Sequence, residues 1–112
     1  MLILALGFFG LAALLGFYLL SYVLQKKETP KAIAFIHGPL AVVGLILLLV
    51  YAAYNTPFPL VSICLFVLAA LGGLILIYKD LTGKPIPQAL AIGHGLLALT
   101  AFGFLLAFVF LT

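Results

Sequence analysis

An all-α integral membrane fold, a bundle of four transmembrane helices in up-down-up-down order, is predicted by three observations: four long apolar runs, a near absence of charge, and an internal duplication. Only 6% of the 112 residues are charged against 68% hydrophobic, a balance that a water-soluble domain does not sustain. The runs are continuous rather than alternating, which selects helices over a barrel, and a helix satisfies its own backbone hydrogen bonds inside lipid. The duplication is read at an offset of 57 residues. Phe9-Gly-Leu-Ala-Ala-Leu-Leu-Gly16 falls on Phe66-Val-Leu-Ala-Ala-Leu-Gly-Gly73, and in the same register Lys27 meets Lys84, Pro30 meets Pro87 and His37-Gly38 meets His94-Gly95. Leu and Ala coincide easily in so apolar a chain, but matched Lys, Pro and His do not. Residues 1–112 are therefore one membrane domain of two parallel repeats, 1–55 and 58–112.

Each run is near the ~20 residues that cross a ~30 Å hydrocarbon core as a helix. The first, Leu2 to Leu24, has no basic n-region and no clear cleavage site, so it is read as a retained span and not a signal peptide. It carries Ala12-x-x-x-Gly16, a small-residue pair suited to close helix packing, either between the repeats or in a homodimer. The second, Ala32 to Tyr54, carries His37 and then Pro39, which should bend the helix and free the carbonyl of Phe35. The third, Leu60 to Tyr78, carries the second small-residue pair, Ala69-x-x-x-Gly73, and Cys64, whose expected place is in the core. As the only cysteine, Cys64 leaves no intramolecular disulfide, thiolate cluster or covalent haem attachment. The fourth, Ala89 to Thr112, carries His94, with Leu96 where repeat 1 has Pro39. Tyr18, Tyr22, Tyr51, Tyr54 and Tyr78 fall mostly toward span ends, as an interfacial belt.

The charges fix an orientation. Lys26, Lys27, Lys31, Lys79 and Lys84, with Glu28 and Asp80, all lie in the first and third connections, and Asn55-Thr-Pro-Phe-Pro59 between them carries none. The positive-inside bias puts the lysine-bearing loops in the cytoplasm and both termini on the other side, with a bacterial inner membrane as the expected location. The net positive charge is accounted for by topology and by anionic headgroups in the bilayer, so it calls for no nucleic-acid partner. Two-span repeats insert in the same direction, about a pseudo-twofold axis along the membrane normal. Short connections make successive helices antiparallel neighbours, which leaves the second and fourth diagonal. His37, five residues beyond Ala32, lies ~8 Å along its helix, within the cytoplasmic leaflet.

The histidine pair is the candidate site. Ala34, Ala41 and Gly44 share a helix face with His37, and Ala91, Ala98 and Ala101 share one with His94. With Gly38 and Gly95 beside the imidazoles, these small residues either let a backbone come close or leave room for a flat ligand. Helices packed 8–10 Å apart give a diagonal of roughly 12–14 Å by the same spacing, across which two imidazoles could reach one metal. Haem iron takes two axial histidines, and the repeat-related Lys27 and Lys84 are placed to meet its propionates. Tetrahedral zinc needs more ligands than this depth offers, and two-coordinate copper(I) fits imidazole less selectively than thiolate. The alternatives are a neutral imidazole satisfied by a backbone carbonyl or by a helix-to-helix hydrogen bond, or another metal, quinone or proton role.

A four-helix membrane bundle with inward histidines resembles the membrane b-type cytochromes, such as the cytochrome b561-like electron carriers and the cytochrome subunits of membrane dehydrogenases. The resemblance is architectural. It implies haem b (Fe) held by His37 and His94 as metal ligands, and electron transfer with a quinone or redox-protein partner. Those proteins generally carry more than one histidine pair, whereas this chain has two histidines in all, a departure that counts against transmembrane electron relay, because one cofactor near one face does not by itself span the bilayer. The competing functions are an assembly subunit pinned by its histidines, and a small transporter. The latter is disfavoured because no intramembrane carboxylate, Asn, Gln or Arg continues a path through the far leaflet. Ser21 and Ser62 form no nucleophile constellation with the histidines.

Overall fold

Proline opens three of the four helices. In the computed structural model, which describes residues 1–111, the elements are α1 (Leu2–Leu24), α2 (Lys31–Tyr54), α3 (Leu60–Leu81) and α4 (Gln88–Leu111). Thr112, the last residue of the fourth apolar run and of repeat 2, lies outside the described residues. Pro30 and Pro59 are the N-caps of α2 and α3, and Pro87 directly precedes α4. Their carbonyls accept first-turn N–H groups from Ala34 at 3.2 Å, Ile63 at 3.0 Å and Ala91 at 3.1 Å. A proline at a helix start forfeits no intrahelical bond, because the first N–H groups have no partner in any case.

The ends of α1 and α3 are built alike. Lys27 N–H donates to the Tyr22 carbonyl and Lys26 N–H to that of Val23, while Lys84 N–H donates to Lys79 and Gly83 N–H to Asp80. Both pairs are Schellman closures, which need a residue in the left-handed region. Gly83 supplies it with φ 70°, and the equivalent position in repeat 1 is Lys26, with φ 55°.

Successive helices pack as neighbours, α1 also packs on α4, and the diagonals α1/α3 and α2/α4 do not approach at the backbone. The fold is the up-down four-helix bundle. At about 1.5 Å per residue the helices are roughly 33–36 Å long, and the molecule extends 43 Å by 19 Å by 19 Å. Much of the large apolar surface faces outward, with Leu14 68%, Leu74 64% and Phe110 65% exposed. A soluble monomer does not display apolar surface on this scale. The chain is a small four-span helical membrane protein, with those side chains against lipid.

Inside, the layers repeat. Ala5, Phe9, Leu48 and Gly44 are buried in one half, and their equivalents Ser62, Phe66, Leu105 and Ala101 in the other. Two expectations change. Cys64 is exposed, because α3 turns Ser62, Ile63, Phe66 and Ala69 inward and a residue two beyond Ser62 falls on the outer face of the helix. Helix α3 also runs three residues past Tyr78, to Leu81. Those residues include Lys79 and Asp80, charged and therefore outside any apolar run, and Lys79 stands in the last turn, where the helix dipole favours a cation. Helix α2 continues through Pro39.

Candidate histidine site

His37 and His94 meet across the α2/α4 diagonal, their ring centroids 6.2 Å apart and their planes at 81°. Each ring is tied to the other helix of its own repeat. Nδ1 of His37 donates to the carbonyl of Ala12 on α1, and Nδ1 of His94 to the carbonyl of Ala69 on α3, both at 2.7 Å. A carbonyl can only accept, so each Nδ1 carries a proton, and in a neutral ring that leaves Nε2 as the acceptor. Among the described residues no protein atom hydrogen-bonds to either Nε2.

Glycine makes these seats. A Cβ on Gly16 would stand 3.0 Å from His37 Cε1, and one on Gly73 would stand 3.1 Å from His94 Cε1. The Ala-x-x-x-Gly pairs are thus used within the chain, each by the imidazole of the adjacent helix. The sequence held the signal for this in its spacing, since Ala12 precedes His37 by the same 25 positions that separate Ala69 from His94.

One layer away from the lysine-bearing end, Phe9 and Phe66 stack with centroids 3.8 Å apart and planes within 4°. Gly44 backs this stack, for a Cβ there would lie 3.0–3.1 Å from three atoms of the Phe9 ring. Ala101, its equivalent, belongs to the same core cluster as Phe66. Of the small residues expected around the histidines, Gly44 and Ala101 therefore serve the aromatic layer. Ala91 is buried, and Ala34, Ala41 and Ala98 are half-buried. Gly38 and Gly95 have nothing within 4 Å of a built Cβ.

Toward the lysine-bearing end the bundle opens into a cleft of about 460 Å³, lined among others by Lys26, Lys27, Lys31, Lys84, Asp80 and Gln88. Lys27 and Lys84 are thus brought to one place, Lys84 lying 4.7 Å from the centroid of Tyr78 and donating to its hydroxyl at 3.2 Å. The cleft also holds a link between repeats that sequence reading missed. Lys31 Nζ meets Asp80 Oδ1 at 2.6 Å, and Thr29 donates to Asp80 Oδ2 at 2.6 Å while accepting from Lys31 at 3.0 Å. At the equivalent position to Lys31, Gln88 Nε2 donates to the terminal α1 carbonyls of Val23 at 3.3 Å and Leu24 at 3.4 Å.

The chain matches no protein-family model, no curated protein and no solved structure. The chemistry of the site therefore rests on its own donors. No group of three His, Cys, Asp or Glu side chains comes together among the described residues, so tetrahedral zinc lacks ligands.

Proposed function

We propose that the protein binds haem b in the membrane through His37 and His94 as axial ligands and transfers electrons. One observation carries this reading: two Nδ1-tethered imidazoles converge to 6.2 Å between ring centroids. Two nitrogens facing each other about 2 Å from a shared metal, with the ring centres about 1 Å further back, would have centroids roughly 6 Å apart. The Nδ1–H···O=C bonds are the outer-shell contacts that fix the tautomer and orientation of a ligating histidine. Small residues around the rings favour a flat ligand. Lys27 and Lys84, lining the cleft, are the proposed partners of its carboxylates. Held there by His37 and His94, haem b would supply one-electron Fe(III)/Fe(II) chemistry in surroundings of low dielectric.

The Phe9–Phe66 stack fills the axis on the side away from the lysines, so exchange with a quinol or a redox protein is assigned to the lysine-bearing end. The positive-inside bias places that end in the cytoplasm.

A second reading is favoured by the tethers themselves. His37 to Ala12 and His94 to Ala69 tie α1 to α2 and α3 to α4, as an assembly subunit held by polar contacts would require. That role explains the tethers and leaves the convergence of the rings without a purpose. The two separate in the absorption spectrum of the detergent-solubilised protein, oxidised and then dithionite-reduced, with a pyridine haemochrome assay. The cofactor reading expects a Soret band and sharp reduced α and β bands, both disrupted by His37→Ala and by His94→Ala. A colourless protein from haem-supplied cells, folding normally with both histidines changed to Gln, would sink it and support the assembly role.

A further inference from the structure

Each imidazole binds a carbonyl that is already engaged. In an α-helix the Ala12 carbonyl accepts the N–H of Gly16, and the Ala69 carbonyl accepts that of Gly73. A carbonyl oxygen has a second lone pair, but on a helix the side chain four residues on stands beside it. Here that side chain is missing in both repeats. The space where a Cβ would stand is filled by the histidine ring, with Cε1 at 3.0 Å for Gly16 and 3.1 Å for Gly73, and Nδ1 at 3.5 Å and 3.7 Å. Glycine is otherwise a poor choice in a helix interior. Gly7 and Gly103, with open space around a built Cβ, show no such use.

We propose that Gly16 and Gly73 are positioning residues for the two imidazoles. Each forms, with the carbonyl four residues before it, a notch that fixes the plane and tautomer of one ring and sets the pair crossed at close to a right angle. The hydrogen bond fixes one edge of the ring and the glycine gap admits the next atom round, so two points are held and little freedom to swing remains. Because each notch lies on the helix paired with its own histidine, the angle between the rings follows from how the two repeats are docked. The crossed planes, 81° apart, then become a property of any metal bound between them, a consequence that rests on the cofactor reading above. The positioning itself does not.

The test uses the full-length protein in detergent with 15N-labelled histidine, read by NMR, as wild type and as Gly16→Ala, Gly73→Ala, Gly7→Ala, Gly103→Ala and Gly72→Ala. Gly72 adjoins Gly73, but its Cβ would stand at an ordinary 3.7 Å from His94 Nδ1. The wild type is expected to show both rings as Nδ1–H tautomers with strongly hydrogen-bonded protons. Gly16→Ala should shift the His37 Nδ1–H resonance and leave that of His94, Gly73→Ala should do the reverse, and the three control variants should move neither substantially. Nε2–H tautomers in the wild type would overturn the proposal even if no variant folds, as would unchanged resonances in folded Gly16→Ala and Gly73→Ala. With ferric haem bound, the wild type should give the highly anisotropic low-spin electron paramagnetic resonance signal of crossed imidazoles, altered by the same two variants. A haem-loaded protein with the rhombic signal of parallel planes would overturn the crossed geometry and leave the haem reading intact. A colourless protein with the expected NMR pattern would overturn the haem reading and uphold the positioning.

Discussion

Phe9 lies flat against Phe66, ring to ring at 3.8 Å, and the two residues are equivalent positions of the internal repeat. The same element of each half thus meets its own copy across the bundle axis, as His37 meets His94 one layer nearer the lysines. In lipid the hydrophobic effect does little to hold helices together, so close packing and interhelical hydrogen bonds carry the association. The aromatic stack supplies the packing, and the histidine tethers supply two of those bonds.

Removing either ring of the stack is expected to destabilise the bundle strongly. Phe9→Ala or Phe66→Ala should cost up to about 3 kcal/mol, the low end of the range for a buried phenylalanine in a soluble core, because in lipid the loss is of packing and not of transfer from water. The double variant should fall short of the summed losses by roughly 0.5–1.5 kcal/mol, the coupling of an aromatic pair. Denaturant titration in micelles, followed by helical circular dichroism, gives all three values.

Gly44 and Ala101 are equivalent in the repeat, yet each should respond to its own surroundings. Gly44→Ala places a methyl 3.0–3.1 Å from the ring and is expected to cost about 1–3 kcal/mol by overpacking, outweighing the ~1 kcal/mol that helix propensity would return. Ala101→Gly should cost about 1–2 kcal/mol, ~1 from propensity and the rest from removing a fully buried methyl of the core cluster. A Gly44→Ala protein that melts above wild type would show that the ring can yield.

Lys26 adopts the left-handed conformation that Gly83 adopts at the end of α3. Lys26→Gly is expected to stabilise the bundle by about 1 kcal/mol, and Gly83→Ala to destabilise it by about 1–2 kcal/mol, since a side chain is disfavoured there. Thermal unfolding of the two variants should move in opposite directions.

Asp80 joins the two repeats through Lys31 and Thr29, and the partners are unequally exposed, Lys31 at 42% and Asp80 at 11%. Truncating the exposed end should cost little, under about 1 kcal/mol for Lys31→Ala. Asp80→Ala leaves the buried hydroxyl of Thr29 without its acceptor and the Lys31 ammonium with Thr29 alone, and should cost about 1.5–3 kcal/mol. Equal losses would mean that Thr29 finds water in place of the carboxylate.

The positions of the four helices were legible because lipid demands an uninterrupted apolar run of nearly fixed length, and the boundaries of Leu2–Leu24, Lys31–Tyr54 and Gln88–Leu111 were read to within a residue at their described ends. The equivalence of His37 and His94 was legible too, because two scarce polar residues in one register stand out from a background of Leu and Ala. Only the tertiary structure decided that Cys64 faces outward, that Phe9 meets Phe66, that Gly16 and Gly73 seat imidazoles, and that Asp80 reaches Lys31. The reason is the solvent. In water a helix marks its inner face by polarity, whereas in lipid inside and outside are both apolar, so the inward face is chosen by shape and by where the few hydrogen bonds close.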